Sequence, residues 1–115
     1  MGRHYVLADG TRVCLRLPRV RDHEGVRRLC ERRGLEPDRL ELARLLTFDP
    51  RRRLVICATA LIGSADMVLG VGAIDLEAGA DPSLLVVDER VKGVGPLLAD
   101  ALLGRAQALM RARAA

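Results

Sequence analysis

The sequence of 115 residues is nearly without aromatic side chains: Tyr5 and Phe48 are the only two, and tryptophan is absent. A core must therefore come from leucine, valine, isoleucine and alanine, without ring stacking. Lysine is as scarce. Lys92 is the only one, so nearly all the positive charge behind the net +4 is arginine. Those arginines are scattered and interleaved with acids, which argues against a nucleic-acid surface. A basic surface of this kind would equally attract a polyanionic cofactor.

Cysteine is present but unpatterned. Cys14, Cys30 and Cys57 form no CxxC spacing and their number is odd, which speaks against a disulfide framework or a zinc site. Each sits in an apolar pattern and is expected as a small core residue. His4 and His23 have no partner at metal-ligand spacing, so no metal is expected. No apolar run is long enough to span a bilayer. The first ten residues lack the long apolar segment of a secretory leader. The expectation is a cytoplasmic protein with no membrane contact.

Half of the residues are apolar, enough to build a core and to exclude general disorder. The length suits one domain, residues 1–115. "HYVLADGTRVCLRLP" reads as two strands around the turn dipeptide Asp9-Gly10. In the second strand Val13, Leu15 and Leu17 alternate with Arg12, Cys14 and Arg16, the pattern of a half-buried strand. "RDHEGVRRLCERRG" reads as a helix. Asp22 is placed to accept from its first amides, and Gly34 suits a left-handed cap. Val26, Leu29 and Cys30 form its inner face. "EPDRLELARLL" predicts a second helix with Pro37 in its first turn and Leu42, Leu45 and Leu46 together.

Three strands follow in "LVICATAL", "MVLGVGAIDL" and "SLLVV". Gly70 and Gly72 weaken the middle one and point to a bulge or to close approach by another backbone. The helix "PLLADALLGRAQALM" ends the pattern, with Leu98, Ala101, Leu102, Ala106 and Leu109 on one face. Arg51, Arg52 and Arg53 read as a solvated turn. The expected class is α+β, a mainly antiparallel sheet in the order strand, strand, helix, helix, three strands, helix, with the helices packed on it.

The chemistry-bearing stretch is "SLLVVDERVKGVGPLLADAL". A buried strand runs into a glycine-containing turn and then a helix. Such a turn leaves backbone N–H groups unpaired beside a helix N-terminus, an anion site suited to phosphate. Gly93 and Gly95 would open the approach, and Arg90 and Lys92 would add charge. Neither GxxxxGK before serine or threonine nor GxGxxG before a distant acid is present, so the common nucleotide fingerprints do not fit.

This element resembles the pyrophosphate loop of the GNAT (Gcn5-related N-acetyltransferase) superfamily, whose pattern is glutamine or arginine, two residues, glycine, one residue, then glycine or alanine. "RVKGVG" supplies Arg90, Gly93 and Gly95. The similarity spans roughly residues 5–112. "LADGTRVCLRLPRVRDHEGVRRLCERRG" looks like the opening of bacterial GNAT domains related to protein lysine acetyltransferases. "RLVICATAL" and "MVLGVGAIDL" look like that family's second and third strands.

The resemblance implies acetyl-CoA as co-substrate. Val86 and Val87 would line the pantetheine arm, and the amides of Lys92, Gly93, Val94 and Gly95 would receive the phosphates. An amine would attack the thioester directly, with strand amides helping the oxyanion. A glutamate near the start of the family's fourth strand maps to Asp81, or to Pro82 under another alignment. Asp75 is a second candidate base, and either aspartate can equally be a solvated loop carboxylate. Family members often read like "VVDERYQGKGVG". Against that pattern the turn is two residues short and Arg90 leaves the family position, so two alignments stay open. The family's fifth strand and fourth helix, with its thiolate-protonating tyrosine, have no counterpart after residue 115, making this a truncated GNAT-like pattern. The exposed edge of the strand at 83–87 would then invite a second copy, a homodimer. A non-catalytic, structural or regulatory domain of the same fold is the competing expectation.

Overall fold

A computed structural model describes residues 2–46, 49, 51–63, 65–77 and 82–114. Its elements are β1 (Arg3–Val6), β2 (Arg12–Arg16), α1 (Asp22–Arg32), α2 (Arg39–Leu46), β3 (Arg53–Ile62), β4 (Ala65–Asp75), β5 (Pro82–Val87) and α3 (Val94–Ala114). The five strands form one antiparallel sheet in sequence order, as the pattern predicts.

Strand alternation sorts the core into two layers. On one face Val13, Leu15, Leu54, Ile56, Ala58 and Leu69 pack against Val94, Leu98, Leu102 and Ala106 of α3. On the other, Val55, Cys57, Val71, Ala73 and Val86 pack against Val26, Leu29 and Cys30 of α1 and Leu42 and Leu46 of α2. The sheet is thus sandwiched between α3 and the α1–α2 pair. Among the described residues, all fully buried large side chains are aliphatic or cysteine, the result of a composition almost without rings. Cys30 and Cys57 are buried, whereas Cys14 is only half-buried. Burial pushes the Cys57 thiol up to about 12.

The β1–β2 turn is closed by Gly10 at φ +88°, and the Thr11 N–H donates to Asp9 Oδ1 at 2.9 Å. Helix α1 ends in a Schellman arrangement around Gly34 at φ +75°. The Leu35 N–H reaches the Cys30 carbonyl and the Gly34 N–H the Glu31 carbonyl. Both turns follow the sequence expectation.

Helix starts differ from it. Asp22 does not cap α1: its carboxylate accepts from the Arg19 N–H at 2.6 Å and from both terminal nitrogens of Arg16 at 2.5 and 2.8 Å. Arg16, expected on a solvated strand face, is 7% exposed, because its face of β2 meets the start of α1. Pro37 precedes α2 rather than opening it. Asp38 is the cap: its carbonyl accepts from the Leu42 N–H and its carboxylate from the Glu41 N–H.

Of the two suggestions for Gly70 and Gly72, a bulge is present beside Gly70, but the close approach by another backbone is not. Thr59 pairs with Val68 and Ala58 with Gly70, so Leu69 is an extra residue, a bulge. A Cβ on Gly72 would lie 2.5 Å from Leu102 Cδ1, and one on Gly70 3.1 Å from Val94 Cγ1. The close approach is made by side chains of α3, not by a backbone.

Candidate functional site

The end of β5 carries the candidate site. An antiparallel ladder alternates hydrogen-bonded and non-bonded pairs. The Asp88 N–H donates to the Leu69 carbonyl at 2.8 Å, and the register pairs Val87 with Gly70 and Val86 with Val71. The N–H and C=O groups of Val86 therefore turn toward β4, while those of Leu85 and Val87 turn to the outer edge. Among the described residues no strand lies beyond β5 in the sheet. Of the two residues expected to line a pantetheine arm, Val87 offers its backbone to the open edge. Val86 offers neither backbone nor side chain there, since its side chain is buried under the α1–α2 layer. Leu85, which sequence reasoning passed over, shares the outer edge and is 42% exposed. Only the strand phase could have identified it.

The turn itself is residues 88–93. Gly93 sits at φ +95°, where only glycine is free of strain. Its carbonyl accepts the first helical bond, from the Leu97 N–H at 3.4 Å. Helix α3 therefore begins at Val94, two residues earlier than the sequence pattern indicates. Val94 and Gly95 supply first-turn amides, and Pro96, third in the helix, has no N–H to leave unpaired. Among the described residues, no backbone partner engages the N–H groups of Lys92, Gly93, Val94 or Gly95. Lys92 and Gly93 are exposed and Gly95 is half-buried at the helix N-terminus, whereas Val94 is fully buried in the α3-side core. Gly95 has room beside it, since a Cβ there would lie 3.9 Å from Val87 Cγ2.

Charge around the turn favours an anion. Asp88 is 3% exposed and fully engaged. Its Oδ1 accepts from the Arg90 N–H and Nε at 3.0 Å each, and its Oδ2 from Arg90 Nη2 at 2.9 Å and Arg32 Nε at 3.2 Å. The Arg90 guanidinium holds this carboxyl down to about 2 against the opposing effect of burial, with the Arg90 N–H and the Arg32 charge assisting. Glu89 pairs with Arg33 at 2.7 Å. Both acids of the turn are thereby neutralised, and Lys92 is exposed with no ion-pair partner among the described residues. Arg90, expected to face a phosphate, folds back onto Asp88, which raises its pKa.

The candidate bases lie elsewhere. Asp75 ends β4, half-buried, and its Oδ1 accepts the Glu77 N–H at 3.0 Å. The ladder pairs Ile74 with Pro82 and Gly70 with Val87. Asp75 is thus separated from the turn by the length of β5, about 17 Å at ~3.3 Å per residue. Asp81 lies outside the described residues. The only tyrosine, Tyr5, is packed against the α3-side core. Among the described residues no group of three or more histidine, cysteine, aspartate or glutamate side chains could hold a metal ion. No helix there is long and apolar enough to cross a membrane.

Five antiparallel strands, two helices on one face, and a third helix launched from a glycine turn at the sheet edge define a GNAT-like fold. The solved structure "Crystal Structure of the GNAT domain of S. lividans PAT" superimposes with a TM-score of 0.66 at 22% identity, covering 97% of this chain and 73% of that one. No protein-family model and no curated protein matches the chain.

Proposed function

We propose that the chain binds acetyl-CoA at the turn of residues 88–95 and transfers the acetyl group to an amine. The observation that supports this reading is the set of amides of Lys92, Gly93 and Gly95, accessible residues whose N–H groups have no backbone partner among the described residues, at the N-terminus of a 21-residue helix. A helix N-terminus and its free N–H groups favour phosphate. The surplus of cations over unpaired carboxylates around the turn adds to that preference. The open edge at Leu85 and Val87 gives an extended amide-bearing arm a strand to pair with. The amine nitrogen would attack the thioester carbonyl carbon, the carbon–sulfur bond would break, and the amine proton would pass to a base. Asp75 and Asp81 are the candidates for that base.

Calorimetric titration with acetyl-CoA tests the reading. Saturable heat is expected with a Kd between about 1 μM and 1 mM, the usual range for enzyme substrates. Absence of heat up to about 1 mM would reject it.

A second reading is favoured by the same open edge. A second copy could pair with β5 across a two-fold axis, giving a non-catalytic dimer. Leu85 and Val87 cannot hydrogen-bond to a pantetheine arm and to a partner strand at once. Light scattering of the titrated sample therefore separates the readings: a dimer that persists and takes up no ligand supports the second, and one that dissociates as ligand binds supports the first.

A further inference from the structure

Asp88 is a buried carboxylate that no reading of the sequence singled out. It stands where β5 leaves the sheet. Pleat alternation points its side chain to the face of Val86, the α1 face, while the chain turns away to start α3 on the other. There it joins three parts of the fold. Its N–H binds the Leu69 bulge of β4. Its Oδ2 holds Arg32 at the end of α1, and Arg32 Nη2 also reaches the Val68 carbonyl at 3.2 Å. Its Oδ1 accepts the Arg90 N–H, an aspartate turn that bends the chain toward Lys92.

We infer that Asp88 is the positioning residue of the anion turn: it ties the first residues of the turn to α1 and β4, so that the amides of Lys92, Gly93 and Gly95 are presented in one arrangement. This rests on the acetyl-CoA reading for its ligand but not for its geometry. An amide site gains affinity when it is held before the ligand arrives, because the ordering cost is not charged to binding. Removing one partner of a buried charged network leaves the others unpaired, so the loss should be felt in the turn first.

The test uses the full chain, coenzyme A as probe, and a readout that needs no ligand. Asp88→Asn keeps the shape and one acceptor but removes the charge. It is expected to weaken coenzyme A at least about tenfold by calorimetry. Arg32→Gln, which leaves every turn residue in place, should weaken it by about threefold or more and covers the case in which Asp88→Asn fails to fold. Asp22→Asn breaks the other buried carboxylate pair, at the far end of α1, and should bind within about twofold of native. Without ligand, backbone hydrogen exchange at residues 88, 90 and 91 should quicken at least about tenfold in Asp88→Asn and not in Asp22→Asn. Native affinity in Asp88→Asn overturns the inference. Equal weakening in Asp22→Asn also overturns it, since the effect would then be one of stability alone. If the native chain binds no coenzyme A, the acetyl-CoA reading falls, and the exchange readout alone decides for or against Asp88.

Discussion

Gly93→Glu is expected to weaken acetyl-CoA binding by at least about 100-fold, equivalent to ~2.7 kcal/mol. Two effects add. The φ of +95° at Gly93 is open to glycine, and a side chain there costs about 1–2 kcal/mol or moves the backbone. Movement would carry the Gly93 carbonyl away from the Leu97 N–H, the first bond of α3. The new carboxylate would also stand beside the amides of Lys92 and Gly95 and repel a pyrophosphate. The Cβ itself has space, its nearest neighbour being Leu7 Cδ2 at 3.4 Å, so the variant should remain folded. Gly95→Ala is the matched control. Gly95 has ordinary φ and an open neighbourhood, so affinity should fall by no more than about threefold. Calorimetry with a parallel thermal melt checks both. Native affinity in Gly93→Glu would place the binding of acetyl-CoA elsewhere.

Asp22→Ala is expected to cost about 3–5 kcal/mol in urea unfolding, because it leaves the buried Arg16 guanidinium without its carboxylate. That is a large part of the ~5–15 kcal/mol that holds a domain of this size. The only other carboxylate near Arg16 among the described residues is Asp66, at 3.8 Å and 54% exposed, too far to replace a two-pronged pair. The double variant Arg16→Met with Asp22→Leu should recover most of the loss, since an apolar pair of similar volume avoids the desolvation of both charges. The native pair also has a pH signature. Burial raises the Asp22 carboxyl, but the bonds from Arg16 and the Arg19 N–H outweigh it, and the folded pKa is lowered. A lowered pKa means that the contribution is fully present above the unfolded value near 4. It is lost as pH falls through the folded value below that. Unfolding free energy should therefore decline below about pH 4 in the native chain, and less steeply in the double variant.

These two sites show different degrees of legibility. The glycine turn could be read in advance because its cause is local. A β-branched run, four charged residues, glycine and a proline-bearing helix start suffice to place a strand, a turn and a helix N-terminus. The left-handed conformations of Gly10, Gly34 and Gly93 are legible for the same reason. The Arg16–Asp22 pair was not. Period-two alternation assigns Arg16 to the face opposite Val13 and Leu15, which is correct. What covers that face depends on where α1 lands, and α1 is placed by its own apolar stripe against β4 and β5.

Asp88 was hidden in the same way. An acid after a hydrophobic strand reads as the solvated start of a turn, and the i+2 arginine hints at no more than a local bond. Its burial comes from Arg32, 56 residues away in the chain. The outward phase of Leu85 and Val87 was likewise undecidable, because hydrogen-bonding phase belongs to the pair of strands and not to either alone.

The sequence by itself determined the element order, the antiparallel sheet, the two aliphatic layers and the glycine turn at the head of α3, since each follows from short-range pattern and backbone sterics. Tertiary structure alone decided which charges are buried, which residues of the open strand turn their backbone outward and which carboxylate anchors the turn. Those features arise where distant segments meet, and the free energy of a buried charge is set by the partner it finds there.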